Sequence, residues 1–210
     1  MKRVLILFAI FCVLAGSINA QQIRTSPFEG RWIWDGKGDD YPDFTELVFC
    51  GNVMLGTDED YPVYEGELFT YTSKIINFGD DYYEWEYHLS GNVLTITDEY
   101  DERFSYSKAA MEKSPLEGIW KITGGSGFDT DDDYYLLFTG EIMAEGDEYG
   151  YEGFKIEFKG KMFHPSRSYM GEDISERQLM ETAVEYRLSG NSLTIISPVE
   201  GEEIWLARIY

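Results

Sequence analysis

Apolar and polar residues alternate along most of this chain in short runs broken by Gly-Asn, Asp-rich and Pro-containing stretches. A period of two marks strands with one buried face. In the first half it predicts strands over residues 30–35, 44–50, 53–55, 63–71, 74–78, 82–89, 93–97 and 103–108. Trp32 and Trp34 share one face of the first strand, with Ile33 on the other, and Leu47 and Phe49 share a face of the second. In the sixth, Tyr83, Trp85 and Tyr87 face one way and Tyr82, Glu84 and Glu86 the other. Gly51-Asn52 and Gly91-Asn92 supply turn chemistry between neighbours. Strands so close in sequence leave no room for the crossovers that parallel pairing needs, so the pattern is an antiparallel meander.

The second half repeats the order over residues 118–123, 134–138, 142–144, 149–158, 161–164, 181–188, 192–197 and 203–210. The repeat is visible in the residues themselves. Ser26-Pro27-Phe28-Glu29-Gly30-Arg31-Trp32 returns 88 positions later as Ser114-Pro115-Leu116-Glu117-Gly118-Ile119-Trp120. Tyr87-His88-Leu89-Ser90-Gly91-Asn92-Val93-Leu94-Thr95-Ile96 returns 99 positions later as Tyr186-Arg187-Leu188-Ser189-Gly190-Asn191-Ser192-Leu193-Thr194-Ile195. One match opens a unit and the other closes it, which argues for an internal duplication. The growth of the shift from 88 to 99 places an insertion in the second copy. Residues 165–180 are the natural place, and 172–180 have the composition of a short helix, with Ile174, Gln178 and Leu179 at helical spacing. An open meander leaves two sheet edges exposed, and closure removes them. The expected fold is all-β: two tandem small antiparallel meander barrels of about eight strands each. The expected domains are residues 21–108 and 114–210, joined by a short polar linker at 109–113.

Residues 1–20 are set apart. Lys2 and Arg3 precede an apolar run from Val4 to Leu14, and Gly16-Ser17-Ile18-Asn19-Ala20 ends in a small residue suited to cleavage. This is the pattern of a secretory signal peptide, and the run is well short of the ~20 residues that span a bilayer. The residues before Cys12 lack the small side chain that a lipoprotein signal needs, so the expected product is a soluble exported protein, periplasmic or secreted, with no membrane insertion after cleavage. Removing the segment takes two basic residues and no acidic ones, which moves the formal charge from −22 to −24. That charge argues against nucleic acid and anionic membrane surfaces and favours cationic partners. Cys50 is then the one cysteine left, so no intramolecular disulfide forms and the core must hold the fold.

The motifs together resemble the bacterial lipocalin-like domains. Each copy opens on Glu-Gly-x-Trp (Glu29-Gly30-Arg31-Trp32 and Glu117-Gly118-Ile119-Trp120) and closes on Tyr-x-Leu-Ser-Gly-Asn-x-Leu-Thr-Ile and a last strand carrying a basic residue. The resemblance implies a calycin-type barrel in which Trp32 and Trp120 plug the closed ends. It also implies that Lys108 and Arg208 lie over those rings, with Gly30 and Gly118 admitting close approach. A cation over an indole face contributes about 0.5–2 kcal/mol.

Candidate chemistry is sparse. Asp129, Asp131 and Asp133 have the alternate spacing with which carboxylates begin a calcium loop, but the glycine and closing glutamate of that motif are missing, and a solvated acidic loop is the plainer reading. Asp39, Asp40 and Asp43 occupy the equivalent loop of the first copy. His88 aligns with Arg187, and neither it nor His164 belongs to a nucleophile or metal motif. No enzyme and no cofactor is expected. The expected function is binding of a small apolar ligand inside a barrel. The alternative is an envelope interaction module with filled barrels, whose loops contact a protein or glycan through tyrosines beside carboxylates, as in Asp80-Asp81-Tyr82 and Asp147-Glu148-Tyr149.

Overall fold

The computed structural model describes residues 26–38, 41–58, 63–79, 83–126, 133–147, 149–170, 174–198 and 201–210. The first copy forms β1 (Gly30–Gly38), β2 (Glu46–Cys50), β3 (Val53–Thr57), β4 (Val63–Tyr71), β5 (Ile75–Phe78), β6 (Tyr83–Ser90), β7 (Val93–Thr97) and β8 (Arg103–Ala109). Each strand pairs antiparallel with the next, and β8 returns to β1 with Lys108 opposite Trp32. The second copy forms β9 (Gly118–Gly125), β10 (Tyr135–Thr139), β11 (Ile142–Gly146), β12 (Tyr151–Lys159), β13 (Met162–Pro165), β14 (Val184–Ser189), β15 (Ser192–Ile196) and β16 (Glu203–Arg208). It closes the same way, β16 returning to β9 with Arg208 opposite Trp120. The fold is two closed eight-stranded barrels.

The insertion lies between β13 and β14. It holds one turn of helix, α1 (Arg167–Met170), and α2 (Glu176–Glu181). Ser175 caps α2: its Oγ accepts from Gln178 N, and the Gln178 side chain accepts from Ser175 N. This reciprocal pair satisfies two donors the helix leaves open, while Leu179 anchors the buried side.

Alternation decides what each barrel wraps. Phe28, Trp32, Leu47, Phe49, Phe69, Phe78, Trp85 and Leu94 meet inside barrel 1. Leu116, Trp120, Phe138, Ile156, Phe163 and Leu193 meet inside barrel 2. The rings of barrel 1 pack mostly edge to face, as between Phe49 and Phe69 at 5.4 Å and between Phe78 and Trp85 at 4.6 Å. Such tilted pairs are the preferred aromatic geometry.

The barrels are not beads on a thread. The N-terminal half of β4 leaves β5 and pairs with the N-terminal half of β12, placing Tyr64 opposite Gly153 and Glu65 opposite Glu152. One hydrogen-bonded sheet therefore runs through all sixteen strands. Where strand walls of the two barrels meet, their outer faces bury a third apolar cluster that includes Val48, Cys50, Leu55, Tyr64, Ile119, Leu137, Ile142 and Tyr151. Every residue of β2 and of β3 is consequently buried, one face in the barrel and one in the seam. Ala109 of the expected linker is the last residue of β8, and Met111 packs against the seam.

Candidate functional site

In each barrel the tryptophan of the Glu-Gly-x-Trp segment packs into the core. Trp32 and Trp120 are fully buried, and their Nε1 groups donate to the carbonyls of Phe28 at 2.5 Å and Leu116 at 2.7 Å. Lys108 Nζ lies 5.2 Å from the Trp32 ring centroid, and Arg208 Cζ lies 4.5 Å from that of Trp120. Gly30 and Gly118 have φ of 109° and 125°, in the region that disfavours any side chain. A Cβ on Gly118 would also collide with the Tyr210 carbonyl oxygen.

The glutamate of the same motif has a role that periodicity does not reveal. Glu29 accepts from Gly51 N, and Glu117 accepts from Gly140 N and Thr139 Oγ1, so each carboxylate holds the turn between the second and third strands of its barrel. The Tyr210 hydroxyl, at the far end of copy two, lies near Glu29 in copy one and favours its ionised form. Burial raises the Glu29 carboxyl above its usual range, against the hydrogen bonds that lower it, and the charge of Glu117 adds to the rise.

One further polar cluster, on the outer face of barrel 1, reaches barrel 2. Arg31 Nη2 donates to Glu46 Oε2 at 2.6 Å, the Tyr64 hydroxyl donates to Glu46 Oε1 at 2.7 Å, and Arg31 Nη1 lies 3.7 Å from Glu141 of barrel 2. Burial, then the charge of Glu46, pushes the Tyr64 hydroxyl well above its ordinary value. Inside the open end of barrel 2, Glu145 faces Glu152 across the β11–β12 pair. Burial first, and the Glu152 charge second, raise its carboxyl to about 7. Cys50 is buried in the seam, and burial pushes its thiol up, away from thiolate chemistry.

Of the candidate calcium residues, Asp129 and Asp131 lie outside the described residues, as do Asp39 and Asp40 of the first copy. Asp133 forms an ion pair with Lys121. Among the described residues, no group of His, Cys, Asp and Glu is arranged to hold a metal ion. His164 is buried, with Nδ1 2.9 Å from the Pro165 carbonyl, and His88 stands on β6 opposite Thr95. Asp80, Asp81 and Tyr82 lie outside the described residues. Tyr149 is exposed and donates its backbone N–H to Asp147.

The open end of barrel 1 carries a depression of about 170 Å³. Phe44, Trp85, Phe104 and Tyr106 contribute to its wall, and Tyr41, Tyr100, Asp43, Asp98 and Glu102 also line it. Its rim is braced: the Tyr106 hydroxyl donates to the Phe44 carbonyl at 2.9 Å, and Tyr41 packs its ring 5.0 Å from Trp34. A second depression of about 330 Å³ adjoins it through Asp98 and is lined by Ile75, Thr97, Glu84, Glu86, Glu99 and Asp101.

No protein-family model matches this chain, and no curated protein matches it. Among solved structures, the DNA polymerase III subunit beta from Pseudomonas aeruginosa is similar at 11% identity with a TM-score of 0.20, covering 88% of this chain and 58% of that one. The DNA polymerase sliding clamp of the same organism, solved with ligand, is similar at 10% identity and a TM-score of 0.20, covering 89% of this chain and 58% of that one. The chain thus spans less than two thirds of the length of these structures. Likeness at that level bears on neither the fold nor the function of this chain.

Proposed function

We propose that the chain is an exported, non-enzymatic, lipocalin-like recognition protein that works through the loops at its barrel ends rather than by carrying a molecule inside a barrel. The observation that supports this is the filled interior. The space in barrel 1 that would hold an apolar ligand is taken by Phe28, Phe49, Phe69, Phe78 and Trp85, packed ring against ring. The depressions left at and beside its mouth, about 170 and 330 Å³, are rimmed by carboxylates, the larger almost entirely so, unlike the mostly apolar lining of ordinary small-molecule sites. Export is supported by the charged, apolar and small-residue order of residues 1–20.

Native mass spectrometry of protein purified from its own cells tests the reading. The expected spectrum contains the bare chain, beginning at Gln21, and an apolar fluorescent probe gains no intensity on titration. A small apolar molecule retained at one per chain would restore the carrier function and overturn the proposal.

A further inference from the structure

The mouth of barrel 1 combines aromatic walls with a carboxylate rim. Among the described residues, neither this depression nor its neighbour is lined by a lysine or an arginine. Their common wall is the turn from Asp98 to Glu102. Asp98 Oδ1 accepts from Tyr100 N at 2.8 Å and from Glu102 N at 2.9 Å, and Asp101 closes the turn at φ 65°. The Asp98 carboxylate and the backbone of the turn are therefore held in place. Electrostatics reflects their crowding: the Tyr100 hydroxyl is raised above its ordinary value chiefly by Glu99, with Asp98 and Asp43 adding to it.

We infer that this mouth receives a lysine or arginine side chain from a basic polypeptide partner. The aliphatic stem lies against Phe44, Trp85 and Tyr106. The charged head sits among Asp43, Asp98 and Glu102, and the adjoining acidic depression takes a following basic residue. Three features fit this occupant. The mouth depression, about 170 Å³, has room for one long side chain. Long basic side chains bury an apolar stem while keeping the head polar, and their heads are attracted to aromatic faces. The formal charge, −22 for the full sequence and −24 without residues 1–20, draws a cationic partner from a distance. The inference rests on the recognition reading above.

The test uses the full mature chain and a fluorescently labelled heptapeptide of alternating lysine and glycine, with its glutamate counterpart as control, in about 50 mM salt. The lysine peptide is expected to bind saturably and to shift the tryptophan emission, and the glutamate peptide not to bind. Asp43→Asn with Glu102→Gln is expected to weaken binding about tenfold or more, because both change the rim. Tyr100→Ala, at a residue 76% exposed, tests the same site with the fold undisturbed and is also expected to weaken binding. Glu157→Gln with Glu202→Gln removes equal charge from barrel 2 and is expected to leave affinity unchanged. Equal weakening by both charge pairs would reduce the effect to general attraction and overturn the site. Competition by spermidine at equal charge would assign the mouth to a free polyamine and overturn the polypeptide. Absence of binding, with the barrels empty by mass spectrometry, ends this inference alone, whereas a retained apolar ligand ends the reading beneath it.

Discussion

Trp32 and Trp120 each satisfy three demands at once: full burial, an indole N–H that donates to a carbonyl four residues back, and a cation over the ring. Trp120→Ala is therefore expected to cost about 3–5 kcal/mol, the range of a buried aromatic truncation. Arg208→Met keeps much of the covering stem and loses the charge, and is expected to cost only about 0.5–2 kcal/mol. Urea denaturation of both variants measures the two costs, and equal losses would mean that packing under the ring matters less than the cation. Glu145 makes a pH prediction at the same scale. Burial raises its folded carboxyl to about 7, well above the ordinary carboxylate range. Between that range and about 7 the folded chain holds a proton that the unfolded chain has released, so this residue's contribution to stability falls as pH rises through the window. Glu145→Gln removes the titration. The stability difference between variant and parent is expected to move in the variant's favour from about pH 5 to about pH 8, by order 2 kcal/mol. A difference independent of pH would sink the assignment.

At the level of elements, most strands were legible because one face is polar at the surface while the other fills a barrel. Glu84 and Glu86 stay exposed while Trp85 is buried, as the alternation requires. The seam was less legible. Val48 and Cys50 are as apolar as Leu47 and Phe49, and the near-continuous runs in β2, β3 and β10 are what a strand buried on both faces looks like. That signal announces a second partner without naming it, since the partner wall lies in the other copy and no local pattern encodes the β4–β12 register. The helix in the insertion was legible in composition, and its start is written in the Ser175-to-Gln178 capping box. The cations over the tryptophans were reached by resemblance rather than by period. The mouth of barrel 1 was not foreseen as a unit, because β1, β6, β7 and β8 and the loops between them bring Tyr41, Trp85, Asp98 and Tyr106 together only after closure. The seam has its own test. Leu137→Ala removes a fully buried side chain that touches neither barrel interior. It is expected to cost about 2–5 kcal/mol, read as a lower urea midpoint, and a midpoint equal to the parent's would show that the seam does not stabilise the fold.

Taken whole, the molecule resembles a dimer written into one chain. The copies share a strand ladder, an apolar seam and the Arg31 to Glu141 ion pair. A half released from its neighbour would expose the outer faces of its seam strands, including Val48 and Leu55 on one side or Ile119 and Leu137 on the other. Contiguous apolar surface of this kind drives association. Residues 21–113 and 114–210 expressed apart are therefore expected to aggregate or to self-associate, and to recombine one to one when mixed. The intact chain is expected to unfold in a single transition whose calorimetric and van't Hoff enthalpies agree. Leu137→Asp places a charge in the seam, where burial without a partner is costly. The expected result is not uniform weakening but separation of that transition into two, since each barrel keeps its own interior. Two halves that remain monomeric alone, with melting midpoints equal to that of the intact chain, would show that the seam couples nothing. The duplication would then be no more than two independent barrels on a short tether.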